Sequence, residues 1–255
     1  MGLHRTSPAH WNLELCCSGA YVTVARLVHI SLKLEKAMSL VANAEAFARR
    51  CHAGQTRKGV AREPYIIHLE EVAGLVAKWG GSETEQAAAW LHDTVEDCPF
   101  VTLEQLEGNF GATVASTVSE LTDDKSLSKA ERKALQVHNA SKKTSSAALV
   151  KLADKTSNIG ALSNSPPEGW DLQRRLDYVA WAQRVVEALP YKHVAGIKEF
   201  GKRCDLAILK AYEDLGSTRQ AQNAALEMLS RKAKRAGLTH AKAENFIKNF
   251  VKSNL

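Results

Sequence analysis

Apolar residues recur at intervals of three and four along most of this chain, with polar residues between them. No stretch alternates in the way a half-buried strand requires. Val41, Ala44, Phe47 and Ala48 mark one face of a helix over 40–51. Ile67, Val72, Leu75 and Val76 mark a second helix. Pro64-Tyr65 opens it, because proline suits a first turn, and Gly80-Gly81 stops it. Ser82-Glu83-Thr84-Glu85 has the form of a capping box and starts a third. That helix is apolar as far as Leu91 and is expected to continue through His92-Asp93-Thr94-Val95-Glu96-Asp97. The same periodicity predicts helices at about 102–108, 112–121, 128–143, 145–162, 170–188, 194–214, 218–235 and 240–253. A basic loop, His52 to Gly59, and a turn, Pro166-Pro167-Glu168-Gly169, separate some of them. The pattern predicts an all-α protein with no internal repeat.

Composition narrows this picture. The 255 residues are 45% hydrophobic, enough for one large core or two small ones. No run of about 18 uncharged apolar residues exists, so no membrane span is expected. The N-terminus lacks the basic, apolar and small-residue order of a signal peptide. Five cysteines, odd in number and without a Cys-x-x-Cys, point to a reducing, cytoplasmic setting. The net charge of +6 belongs to the tail: from Gly216 to Leu255 there are eight Lys or Arg and two Glu, leaving the preceding 215 residues formally neutral.

Three regions are expected. Residues 1–37 have no periodicity and read as an N-terminal extension, either disordered or upstream of a natural start at Met38. Residues 38–190 form the main domain. Residues 191–255 form a helical extension, whose last part reads as a hairpin (Ala243, Phe246, Ile247 and Phe250 on one helix, Met228 and Leu229 before Gly237). The hairpin is expected to pack on the main domain or on a second subunit in a homo-oligomer. Its basic face (Arg231, Lys232, Lys234, Arg235) reads as solvated rather than as a nucleic-acid site.

The chemistry gathers around His92-Asp93, which offers an imidazole nitrogen and a carboxylate oxygen to one cation. On a continuous helix Glu96 would lie beside the pair and Asp97 one turn beyond Asp93. In isolation this is an acidic helix end. His68 alone reads as a core histidine, and Asp154 with Asn158 as an ordinary i, i+4 pair. Asp123-Asp124-Lys125 with Lys129 and Arg132, and Arg174-Arg175, read as solvated faces.

Taken in order, these clusters say more. They are Arg57-Lys58, Pro64-Tyr65-Ile66-Ile67-His68, His92-Asp93-Thr94-Val95-Glu96-Asp97, Thr122-Asp123-Asp124-Lys125, Lys151-Leu152-Ala153-Asp154-Lys155-Thr156-Ser157-Asn158 and Pro167-Glu168-Gly169-Trp170. The series resembles the HD-type hydrolase domain of Rel/SpoT proteins, in its small alarmone hydrolase form, over roughly residues 38–190. The resemblance implies an all-α HD-domain bundle with metal ligands His68, His92, Asp93 and Asp154. Such a mixed N/O set suits Mn²⁺, the family's metal, with Zn²⁺ or Fe²⁺ as alternatives. It implies a catalytic pair, Glu96 and Asp97, and substrate contacts from Arg57, Lys58, Lys129, Asn158, Arg174 and Tyr178. The implied reaction is hydrolysis of the 3′-diphosphate of ppGpp or pppGpp to GDP or GTP and pyrophosphate. About 65 residues follow the match, too few for a synthetase domain, so hydrolysis alone is expected. The alternatives are the same chemistry on another nucleotide, ppApp or NADPH, and an inactive nucleotide-binding regulator. Lys155-Thr156-Ser157-Asn158 departs from the family pattern, lacking the bulky residue often found before the asparagine.

Overall fold

The structure is a computed structural model and describes residues 39–214 together with 219, 220, 223, 227 and 231. The expectations for residues 1–37 and for the C-terminal hairpin lie outside these residues. Ten helices are present among them: α1 (Leu40–Cys51), α2 (Ile66–Lys78), α3 (Glu83–Leu91), α4 (Thr94–Asp97), α5 (Leu103–Phe110), α6 (Ala112–Leu121), α7 (Lys129–Ala140), α8 (Ser145–Asn164), α9 (Leu172–Ala188) and α10 (Val194–Glu213). The described residues contain no strand, only two isolated bridges. The fold is all-α, and no helix is long and apolar enough to cross a membrane.

Helix starts are written locally. Ser82, Thr102 and Ser128 each accept from the backbone N–H three residues on, and Glu85, Gln105 and Glu131 reach back, giving three complete capping boxes. Thr144 and Asp171 cap α8 and α9 through their side chains. Pro64 lies outside α2 instead of in its first turn, because it pairs with Thr56 across the basic loop. Gly80 follows α2 with φ of 80°, a conformation suited to glycine.

The bundle is assembled around α8. Thirteen of its twenty residues are buried, including Lys151, Asp154, Lys155, Thr156 and Ser157. A helix covered on nearly every side must find partners for its polar groups. Helices α2, α3, α6, α9 and α10 all pack against it, α3 is also flanked by α1 and α6, and α7 lies against α9. Leu69, Val72, Val76, Leu91, Val118, Val150, Leu152 and Val185 form the apolar centre.

The third helix departs from expectation. It stops at Leu91, and a separate short helix restarts at Thr94. Two side chains cause the break. Nδ1 of His92 donates to the Ala89 carbonyl at 2.8 Å, and the Thr94 hydroxyl donates to the Leu91 carbonyl at 2.7 Å. These carbonyls would otherwise accept from backbone N–H groups of the next turn, so the side chains substitute for the helix ladder. Asp93 takes φ −101° and ψ −3° at the joint.

Candidate metal centre

Four side chains converge beneath the break. His68 enters from the first turn of α2, His92 and Asp93 from the α3–α4 joint, and Asp154 from the middle of α8. One ligand atom each from His68, His92 and Asp154 lies within 4.8 Å of the others. Nε2 of His68 is 3.5 Å from Asp154 Oδ1 and 3.6 Å from Asp93 Oδ2. Nε2 of His92 is 3.2 Å from Asp93 Oδ2 and 4.0 Å from Asp154 Oδ1. Donors bonded at about 2.1 Å to one cation stand roughly 3.0 to 3.5 Å apart; two of these four separations, 3.2 and 3.5 Å, fall in that range, and the other two, 3.6 and 4.0 Å, lie beyond it.

Both imidazoles present Nε2 to this point. Nδ1 of His92 is committed to Ala89, and Nδ1 of His68 lies 2.9 Å from the Ser157 hydroxyl. His92 Nε2 is buried and makes no hydrogen bond. Burial opposes protonation of His92, but Asp93 and then Asp154 outweigh it and raise its pKa to about 9. The carboxylates therefore draw positive charge to this nitrogen, and a divalent cation answers the same field with two charges. For Asp93, burial opposes ionisation and His92 overcomes it, holding the carboxyl well below its usual range. Asp154 is likewise held low against its burial, chiefly by Lys155, with His68 and Lys151 adding to it. The Lys155 and Lys151 amines stand 3.2 and 3.6 Å from Asp154 Oδ2. Burial pushes the His68 pKa down, which keeps its imidazole neutral and fit to ligate. The set of two imidazoles and two carboxylates fits a divalent metal.

Through His68 the centre borders a cavity of about 640 Å³ whose wall also includes Glu96 and Asp97, a size within the range of small-molecule sites. Burial, then Asp93 and Asp123, raise the Glu96 pKa, and its Oε2 accepts from the Asp123 backbone N–H at 3.3 Å. Asp97 pairs with Lys125. Both carboxylates thus reach the site from α4, though not from the same helix as His92.

Of the residues expected to meet substrate, Arg57, Lys58, Lys129, Asn158 and Tyr178 line this cavity. Arg57 donates to Asn158 Oδ1 at 3.0 Å, and Asn158 donates to Asp154 Oδ1 at 2.5 Å, which ties the basic loop to the metal centre. Burial, then Arg174 and Lys58, lower the Lys129 pKa. Burial raises that of Tyr178. Arg174 is not on the cavity wall. Its guanidinium lies over the Trp170 ring, 4.9 Å from the centroid.

Sequence reasoning gave no role to Tyr65, Lys125, Arg132 or Trp170, all of which line the cavity. The Tyr65 hydroxyl donates to Asp93 Oδ2 at 2.6 Å. Its signal was its place three residues before His68, on the same face of the chain. The cavity rim is a stitched pair of loops: Gly59 bridges Pro167, Val60 N–H donates to the Pro166 carbonyl, and Ala61 N–H donates to Ser165 Oγ.

Two histidines and two aspartates gathered by a helical bundle, beside a pocket lined by arginines and lysines, make a donor set that fits a divalent metal. A family model described as an HD domain matches residues 44–182. The chain belongs to the HD-domain family. The guanosine-3′,5′-bis(diphosphate) 3′-pyrophosphohydrolase MESH1 of Xenopus tropicalis is 45% identical over 154 residues, 59% of this chain and 85% of the relative. The enzyme of that name from Homo sapiens is 46% identical over 145 residues, 56% of this chain and 80% of the relative. The solved structure of a metazoan orthologue of SpoT, described as hydrolysing ppGpp and playing a role in starvation responses, matches with a TM-score of 0.59 and 34% identity. That match covers 71% of this chain and 97% of its own.

Proposed function

We propose that this chain hydrolyses the 3′-diphosphate of ppGpp and pppGpp, releasing pyrophosphate and GDP or GTP, with Mn²⁺ as its metal. The observation that carries the reading is the joining of two features in one cavity. His68, Glu96 and Asp97 line it beside the metal centre, and Arg57, Lys58, Lys125, Lys129 and Arg132 surround them. A nucleotide with two diphosphates is the kind of anion such a wall neutralises, and relatives named for this activity share the domain.

His68, His92, Asp93 and Asp154 would hold the metal, and their mixed N/O donors suit Mn²⁺. When bound, the cation supplies Lewis acidity to a phosphate oxygen and makes water a better nucleophile. Glu96, half-buried and with a raised pKa, takes the proton as water attacks phosphorus. Asp97, held by Lys125, orients that water. Water adds across the 3′ O–P bond, its hydroxyl to the departing diphosphate and a proton to the 3′ oxygen. Arg57, Lys58 and Lys129 offset the diphosphate charge, while Asn158 keeps Arg57 in place. Tyr178 and Trp170 give a face on which a base stacks, and Arg174 stacks on Trp170.

The test is purified protein with Mn²⁺ incubated with ppGpp, ppApp and NADPH, with products resolved by chromatography. Metal-dependent formation of GDP and pyrophosphate from ppGpp is expected. Turnover of ppApp or NADPH alone would reassign the substrate, and no turnover of any of the three would overturn the reading.

A further inference from the structure

We infer that Ser157, Glu71 and Arg203 form a positioning chain that fixes His68 as a metal ligand, which makes α10 part of the metal centre. The inference rests on His68 being a ligand and is independent of which nucleotide is cleaved.

The two histidines of the centre are oriented by different means. His92 is fixed by a carbonyl of its own helix, Ala89. His68 has no such backbone acceptor; its Nδ1 meets the hydroxyl of Ser157, 89 residues later on α8. A hydroxyl has one proton, and that of Ser157 is directed to Glu71 Oε2 at 2.6 Å. A carboxylate only accepts, so the serine oxygen is left to accept from His68. The imidazole proton is thereby placed on Nδ1 and the lone pair on Nε2, facing Asp93 and Asp154. Glu71 is held in turn by Arg203 of α10, which also donates to the Thr156 carbonyl at 3.3 Å and to Glu199 at 3.2 Å. Lys78 pairs with Glu199 at 2.7 Å and extends the chain to the surface.

The packing makes room for this arrangement. A Cβ at Gly160 would stand 2.6 Å from Arg203 Nη1, so the absent side chain on α8 is what lets the guanidinium reach past it to Glu71. Arg203 lies beyond residue 182, where the HD-domain match ends. The sequence departure before Asn158, a small hydroxylated residue in place of a bulky one, is the link between the imidazole and the carboxylate.

Outer partners of metal-bound histidines hold the tautomer and the ring, and their loss typically weakens metal binding 10–100-fold. Metal-free protein titrated with Mn²⁺ by calorimetry reads this without substrate. Ser157→Ala and Glu71→Leu should each weaken Mn²⁺ binding by about 10–100-fold, and Arg203→Met by less. The double variant Ser157→Ala/Glu71→Leu should bind no more weakly than Ser157→Ala alone, because the chain is already cut. Imidazole nitrogen spectra of the metal-free protein should show His68 protonated on Nδ1 in the wild type and mixed in Glu71→Leu. His68→Ala separates the layers of the argument. If it retains Mn²⁺ affinity, the ligand assignment fails and this inference with it. If it loses affinity while Ser157→Ala and Glu71→Leu keep theirs, the chain is overturned and the proposed function stands. Additive losses in the double variant would equally overturn it. Should Ser157→Ala fail to fold, Glu71→Leu at its partly exposed position decides alone, and unchanged affinity refutes the proposal.

Discussion

Replacing Glu96 by glutamine separates proton transfer from metal binding. The two side chains have the same shape, and a glutamine oxygen can still accept from the Asp123 backbone N–H that Glu96 meets at 3.3 Å. The fold and the short helix α4 should therefore persist. What is lost is the ability to take a proton. A positioned general base contributes roughly 10²–10⁴-fold to a rate, equivalent to about 2.7–5.5 kcal/mol of barrier. Turnover of Mn²⁺-loaded Glu96→Gln should fall within that range, with metal content and substrate affinity unchanged. A base acts only when deprotonated, so the acidic limb of kcat/KM that Glu96 sets should vanish in the variant. Metal content, substrate affinity and turnover are measured on the same preparations, with Asp97→Asn alongside. Near-normal turnover in Glu96→Gln, or an unchanged acidic limb, would refute the assignment.

Three further outcomes are expected. Gly59→Ala would bring a Cβ within 2.3 Å of the Ser165 carbonyl, so the loop carrying Arg57 and Lys58 must lift from its partner; KM should rise about tenfold, roughly 1.4 kcal/mol, with Mn²⁺ content unchanged, and an unaltered KM would contradict this. Gly196→Ala would place a Cβ 2.8 Å from Leu152 and 3.2 Å from the Trp79 ring, and denaturant unfolding should show a loss of about 1–3 kcal/mol. Burial, reinforced by Lys151, lowers the Lys143 pKa to about 8, whereas the unfolded chain holds that proton to about 10.5; the unfolded state thus binds more protons between these values, so stability should rise with pH across that window, and Lys143→Met should flatten the rise.

The helices were legible because their signals are local. The Ser82-Glu85 capping box and the three- and four-residue spacing of Val72, Leu75 and Val76 depend only on neighbours in the chain. The break after Leu91 was not legible, because it depends on where the His92 and Thr94 side chains turn, and a continuous helix satisfies the same pattern. The role of α8 was hidden for a different reason. Lys151, Asp154, Lys155 and Asn158 recur as a solvated helix face would, yet the first three are buried. Their partners come from distant segments, as with Arg57 on Asn158 across 101 positions, and spacing carries no trace of that. Arg174 was placed near substrate by the resemblance alone, and its stacking on the Trp170 ring is a contact that spacing could not show. Tyr65 was visible as a helix opener, but its hydrogen bond to Asp93 exists only once α3 has ended where it does.

The contact between Glu71 and Arg203 spans 132 positions. A chain made from its N-terminus has His68, His92, Asp93 and Asp154 available well before Arg203 emerges, so the ligands exist for a time without the last group that orders them. Contacts of such separation form late in folding, since a long loop must close first. On the positioning role inferred for Arg203, a ribosome-stalled chain halted before α10 should therefore bind Mn²⁺ more weakly than one that already includes Arg203.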